Sequence, residues 1–325
     1  MAIIETKALT KTYGKIQAVR GIDLNIEKGE IFGLLGPNGA GKTTTIGMLC
    51  TIINITSGSA SIAGCNVIKE PARVRRNVGI VFQDPTLDTV LTGRENLELH
   101  ALLYGISADV RQNRINEMLE LVDLQNRGND ITRTYSGGMR RRLELARGLL
   151  HKPAVLFLDE PTLGLDPQTR ARTWEYIKKM AKMEQTTVVL TTHYMEEAEQ
   201  VCDRVGIIDH GRIISLDSPE NLKESMGGDI VLIRAKYPPA EKIKALPYVS
   251  EVKFTDGALE ITMKEAHLHL AELLSLIRDV ECVEVRVPTL SDVFIKLTGR
   301  DMREETAEDA GSWVDSVARY RQKGN

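Results

Sequence analysis

Three apolar runs of strand length, IFGLL (31–35), VLFLD (155–159) and TVVLTT (187–192), show almost no polar alternation. Unbroken runs of this kind suit strands covered on both faces, as in a mostly parallel sheet. TTTIGMLCTII continues from the first run with helix-like spacing, and residues 96–125 repeat Leu, Glu and Arg at helical intervals, which predicts a helical insertion. VGIIDHGRIISLD (205–217) predicts a hairpin turning at His210-Gly211. Residues 1 to about 215 therefore read as α/β. The polar SPENLKESMGGD (218–229), with Pro219 and the pair Gly227-Gly228, predicts a linker.

The pattern then restarts. DIVLIRAKY predicts a strand, AEKIKALP a short helix, and SEVKFTDGALEITM two strands about a Thr-Asp-Gly-Ala turn. HLHLAELLSLIRDV predicts a helix and CVEVRVP a strand. TLSDVFIKLTGR predicts a last helix, with Thr289 or Ser291 as its N-cap. The order βαββαβ predicts a small ferredoxin-like α+β domain. The expected organisation is a large domain over 1–220 with a helical subdomain at about 84–150, an accessory domain over 221–300, and a polar tail over 301–325.

Composition narrows the picture modestly. The 325 residues are 42% hydrophobic, enough for two cores. A net charge of −3 and the lack of a basic, aromatic strip give no reason to expect nucleic acid as a partner. The start, MAIIETKALTKTYGK, lacks the sections of a signal peptide, and no apolar stretch reaches the roughly 18 residues that span a bilayer. Any link to a membrane is thus expected to run through a partner. Cys50, Cys65, Cys202 and Cys282 are widely spaced, which predicts reduced, buried thiols in a cytosolic protein.

The chemistry begins at GPNGAGKT, which fits G-x-x-x-x-G-K-[ST] between a strand and a helix. Glycines let the backbone turn its N–H groups inward as an anion nest, and the helix behind aims its positive end at the same point. The phosphate-binding residues expected are Gly36, Pro37, Asn38, Gly39, Ala40, Gly41, Lys42, Thr43 and Thr44. Lys42 would reach the β- and γ-phosphates, and Thr43 would offer its hydroxyl to Mg²⁺. VLFLDE then places Asp159 and Glu160 at the end of a buried strand, where open α/β sheets bind ligands. Asp159 would hold the metal or its water, and Glu160 would sit against the γ-phosphate and orient or deprotonate the attacking water. By themselves, two acids at a strand end fit helix capping or plain solvation; the glycine loop decides for catalysis.

YSGGMRRRLELARGLL (135–150) opens another helix behind Ser136, Gly137 and Gly138. A capping hydroxyl, exposed N–H groups and a positive helix end make a second phosphate-binding surface. One loop already encloses the phosphates, so Ser136 and Gly138 are expected to bind the nucleotide of a second copy. An ordinary helix start with closely packed glycines fits this stretch equally well. Arg140 to Arg142 read as a solvated face.

With these stretches in hand, residues 1 to about 220 resemble the nucleotide-binding subunit of ABC transporters, an α/β P-loop NTPase fold. GPNGAGKT resembles its Walker A loop, VLFLDE its Walker B strand, and YSGGM its signature, departing from LSGGQ at the first and last positions. The resemblance implies that Gln83 in VFQDP touches the metal and faces the membrane subunit. It implies that Asp166 in PTLGLDP reaches across a dimer, that His193 in LTTHYMEEAE holds the γ-phosphate and orients Glu160, and that Tyr13 in KTYGK stacks on adenine. FQDPTLDTVLTGRENLELHALLYG and PTLSDVFIKLTGR are similar to the daunorubicin-resistance type of exporter ATPase. That likeness implies ATP and Mg²⁺, a separate transmembrane permease, a nucleotide-sandwich homodimer, and a place in the cytoplasm on the inner face of the cell membrane. The competing readings are a soluble ABC ATPase acting on nucleic acid or the ribosome, a non-hydrolysing nucleotide switch, and the ATPase of an importer.

Overall fold

The computed structural model describes residues 1–299 apart from Tyr237 and Asp256; the expected tail over 301–325 lies outside the described residues. The chain divides into two compact units, one built from Met1–Leu216 and one beginning at Asp217.

The first unit opens with a long antiparallel ribbon that the hydrophobic pattern did not announce. β1 (Ala2–Tyr13) and β2 (Ile16–Glu27) pair with each other, and β4 (Ser57–Ile62) and β5 (Cys65–Asn66) complete a sheet of order β2-β1-β4-β5. Between them run β3 (Ile31–Leu35) and α1 (Lys42–Leu49). α1 stops earlier than its apolar spacing suggested: Thr51 takes φ 62°, and the N–H groups of Ile52 and Ile53 return to the Gly47 carbonyl at 2.9 Å.

α2 (Pro71–Asn77) leads to β6 (Val78–Val81). The expected helical insertion follows as two helices, α3 (Gly93–Leu103) and α4 (Ala108–Leu121), broken where Gly105 turns at φ 70°. α3 is closed by a Thr92–Glu95 capping box. Next come α5 (Gly137–Leu149), β7 (Val155–Asp159), α6 (Pro167–Glu184), β8 (Thr187–Thr192), α7 (Met195–Val201), β9 (Arg204–Asp209) and β10 (Arg212–Asp217). His210 and Gly211 both have positive φ, as the predicted two-residue hairpin turn demands.

The main sheet has the order β10-β9-β3-β8-β7-β6, and the β9-β3-β8-β7-β6 stretch is parallel. Phe32, Leu35, Phe157, Leu158 and Leu190 are fully buried within it, which accounts for the unbroken apolar runs. One consequence governs the site. The carboxyl ends of four adjacent strands, β3, β8, β7 and β6, open onto the same edge, where doubly wound sheets take their ligands.

The second unit takes in the whole segment expected to be linker. Ser218 caps α8 (Pro219–Glu224), Pro219 sits at its first position, and Leu222 is buried, so a polar composition conceals a folded turn. β11 (Asp229–Ala235), α9 (Ala240–Lys244), β12 (Val249–Thr255), β13 (Ala258–Met263), α10 (Ala266–Ser275) and β14 (Val280–Arg286) form an antiparallel sheet of order β12-β13-β11-β14. That is the ferredoxin-like arrangement. Val231, Ile233, Leu259, Ile261 and Met263 form its core with Ile243 and Leu273. α11 (Leu290–Thr298) is capped by Thr289, which shares a capping box with Asp292, and Arg286 forks onto the same carboxylate. Cys50, Cys65 and Cys202 are buried as expected; Cys282 is exposed, because it lies on β14 at the edge of this sheet.

Candidate active site

The loop between β3 and α1 is shaped by contacts that exclude side chains. A Cβ at Gly36 would fall 2.1 Å from the Ile208 carbonyl oxygen. Gly41 caps α1 at φ 107°, and a Cβ there would meet the Ala18 carbonyl oxygen at 2.6 Å. No side chain caps α1, so its first-turn N–H groups face the loop as an anion site. Gly36, Pro37, Ala40 and Gly41 are buried, Asn38 and Gly39 are exposed, and Thr44 is half-buried. Lys42 is buried; its Nζ donates to the carbonyl oxygens of Gly36 (2.6 Å) and Pro37 (3.0 Å) and lies 3.8 Å from Glu160 Oε1.

Asp159 ends β7 opposite Thr191 of β8. Its Oδ1 accepts from Thr191 Oγ1 (2.6 Å) and from Thr43 Oγ1 (3.3 Å). Burial pushes its pKa above the usual aspartate value; the Thr191 and Thr43 hydroxyls and Lys42 oppose that rise and Glu160 adds to it. A buried carboxylate held partly against ionisation, beside a threonine hydroxyl, is a hard-oxygen donor set that a divalent cation would satisfy. Among the described residues no cluster of three His, Cys, Asp or Glu could hold a metal. A Mg²⁺ that takes most of its ligands from phosphate and water needs no such cluster.

Glu160 is buried and its backbone sits at φ 47°, a conformation costing about 1 kcal/mol for a residue with a side chain. The strain is anchored where the Glu160 N–H donates to Thr191 Oγ1 at 3.0 Å. Its carboxylate Oε2 lies 2.7 Å from His193 Nδ1, a buried atom not aligned for a hydrogen bond with any of the described residues. The glycine loop, Asp159, Glu160 and His193 thus converge at the ends of β3, β7 and β8.

The remaining candidates are placed less directly. Gln83 follows β6 at the same edge and is exposed. Tyr13 ends β1 opposite Ile16, half-buried, with the Lys11 ammonium 4.8 Å over its ring; the hairpin continues to Ala18, whose carbonyl oxygen leaves no room for a side chain at Gly41. Asp166 caps α6 by accepting from Thr169 N at 3.0 Å. Ser136 caps α5 by accepting from Met139 N at 3.2 Å and is exposed. The two signature glycines differ. A Cβ at Gly138 would strike Thr169 Cγ2 at 2.7 Å, whereas one at Gly137 would meet nothing within 4 Å among the described residues. Tyr135 is buried, its hydroxyl donating to the Arg127 carbonyl at 2.6 Å.

Two features escaped the sequence reading. The arginines are not a solvated face: Arg141 is buried among backbone carbonyls, Arg140 donates to Tyr135 O, and Arg142 donates to Val122 O. The signal was the 141, 144, 145, 148 spacing, which puts Arg141 and Glu144 on the buried stripe of α5. Glu197 is also buried, accepting from Thr162 and Thr192.

Comparison with known proteins agrees with this geometry. A family model described as ABC transporter matches residues 19–163, and one described as ATP-binding protein DrrA1-3-like, C-terminal domain, matches 218–298. The chain is 40% identical to the daunorubicin resistance ATP-binding protein DrrA2 of Streptomyces coeruleorubidus, over 94% of this chain and 98% of that one. It is 38% identical to the Nod factor export ATP-binding protein I of Cupriavidus pinatubonensis, over 93% of each. Among solved structures, the dimeric post-hydrolysis state of the ATP-binding cassette MJ0796 bound to ADP and Pi superposes with a TM-score of 0.60 at 29% identity, covering 66% of this chain and 98% of that one. Fold, loop and near full-length relatives together make this chain a member of the ABC transporter ATP-binding proteins, an ATPase of the drug-resistance and export group that carries a DrrA-like C-terminal domain.

Proposed function

We propose that this chain energises export through a separate membrane permease by hydrolysing ATP between two copies of itself, at the cytoplasmic face of the membrane. The observation that carries the hydrolytic part is the convergence of His193, Glu160 and Lys42, with 2.7 Å and 3.8 Å separations, at the carboxyl edge of the parallel sheet. In the proposed division of labour, the N–H groups of the 36–44 loop and Lys42 cradle the phosphates, Tyr13 stacks on adenine, and Thr43, Asp159 and Gln83 hold Mg²⁺. When bound, Mg²⁺ supplies charge neutralisation at the β- and γ-phosphates.

Glu160 accepts a hydrogen bond from the attacking water and takes its proton as the water oxygen bonds to the γ-phosphorus. The bond from that phosphorus to the ADP oxygen breaks, leaving ADP and phosphate. His193 holds Glu160 in place and steadies the γ-phosphate. Ser136, Gly137 and Gly138 of one copy close on the nucleotide held by the other, with Asp166 reaching across the interface. Gly137 supports this: among the described residues, nothing stands within 4 Å of where its side chain would begin.

Among the described residues no helix is long and apolar enough to cross a membrane, in keeping with a permease on another chain. Export, rather than import, rests on what the relatives are named for, daunorubicin resistance and Nod factor export. The test is Glu160→Gln. ATP binding is expected to persist while turnover falls by about 10²- to 10⁴-fold; an unchanged hydrolysis rate overturns the role given to Glu160.

A further inference from the structure

Arg141 uses every N–H it has. Nε donates to the Pro161 carbonyl (2.6 Å), Nη1 to the Phe82 carbonyl (2.6 Å) and Glu144 Oε2 (3.2 Å), and Nη2 to the carbonyls of Asp159 and Glu160 (both 3.2 Å). A guanidinium has five N–H donors, and here each meets an oxygen. A charge this buried is tolerable only when paired and fully hydrogen-bonded, so the site is built around it. Glu144 takes the charge and also accepts from Thr86 N at 2.7 Å, while Arg147 donates to Thr86 O at 2.9 Å. The segment 82–86, which contains Gln83, is therefore fastened to α5 at both ends, and the turn 159–161 is fastened to the same guanidinium.

We propose that Arg141 is a positioning residue for hydrolysis: one guanidinium locks the Glu160 turn to the Phe82–Thr86 segment, so Glu160 is aligned only while that segment is seated on α5. This rests on the reading of Glu160 as the group that orients water. The geometry separates binding from chemistry. The bonds of Arg141 run to the backbone carbonyls of Asp159, Glu160 and Pro161, to the Phe82 carbonyl and to the Glu144 carboxylate, and none runs to the 36–43 loop. A displacement of segment 82–86 is thereby relayed to the hydrolytic carboxylate through one side chain, while Lys42 and the loop N–H groups, to which Arg141 makes no bond, keep their hold on the phosphates.

Arg141→Lys is the test. It keeps a cation for Glu144, but an ammonium cannot span the Phe82 and Pro161 carbonyls as the fork does. In the full-length chain kcat is expected to fall about ten- to a hundredfold, as for a displaced catalytic group. KM and the nucleotide Kd are expected to change by less than about twofold. If Arg141→Lys does not fold, Glu144→Gln serves instead: it retains an acceptor for Thr86 N while removing the counter-charge, and kcat should fall about threefold at unchanged KM. A parent-level kcat in the folded variant, or a loss confined to KM, overturns the proposal. Glu160→Gln in parallel separates the two claims. If it is inactive while Arg141→Lys is unimpaired, only the role of Arg141 fails; if it hydrolyses ATP normally, the reading of Glu160 fails and takes this one with it.

Discussion

The two glycine-rich helix starts of the cassette, before α1 and before α5, use similar ingredients and reach opposite conditions. The α1 loop is largely enclosed: Gly41 caps the helix without a side chain, Lys42 is buried, and Asp159 and Glu160 stand opposite. The α5 tip is open, with Ser136 and Gly137 exposed and the Ser136 hydroxyl occupied by its own helix. Positive helix ends attract anions in both places, but only the first is supplied with a lysine and two acids by its own chain. The difference fits the proposal that the first is a site and the second half of one, completed by a nucleotide held elsewhere.

The comparison breaks most easily on the closed side. Lys42→Met is expected to weaken ATP binding by about a hundredfold or more, because a charge-assisted contact to phosphate is lost without a change of volume; equilibrium binding of a fluorescent ATP analogue measures it. On the open side, Ser136→Asp is the sharper probe. Aspartate caps a helix as well as serine does, so the melting temperature should hold, whereas its charge would face the second copy's triphosphate. Turnover is expected to fall about thirtyfold or more; retained activity would reduce Ser136 to a cap.

Two smaller effects refine the closed site. Because burial raises the Asp159 pKa, its ionised form is disfavoured in the fold. The nucleotide-free protein should therefore lose stability as pH rises from the ordinary aspartate value through the raised one, and Mg²⁺-dependent turnover should fade as pH drops through that raised value. Asp159→Asn removes the first slope, and thermal scans of the nucleotide-free protein should read a gain of about 3 °C while hydrolysis is lost. Smallest is Tyr13→Ala. One stacking contact is worth about 1 kcal/mol, so KM for ATP should rise about fivefold with kcat unchanged.

What could be read from sequence follows from how local each device is. The Walker-type loop, the strand ending in Asp159 with Glu160 just beyond it, and the Ser136 cap are short stretches whose character is written in adjacent residues. The ferredoxin-like unit was legible because each strand and helix keeps its own period. The β1-β2-β4 ribbon was not, since its pairing joins Thr6 with both Leu24 and Ala60, far along the chain. Arg141 misled because its partners, Phe82, Asp159, Glu160 and Pro161, come from other segments. A run of three arginines looks solvated until those carbonyls are brought to it. Thr191, which ties Asp159 to the Glu160 backbone, was hidden for the same reason.

The most direct measurement is the mass of the Glu160→Gln protein in ATP and Mg²⁺ by size-exclusion chromatography with light scattering. Two chains with two nucleotides are predicted, reverting to single chains that still bind ATP when Ser136→Asp is added. Nucleotide-loaded single chains in the Glu160→Gln protein, or pairs that survive Ser136→Asp, would contradict the shared-nucleotide account.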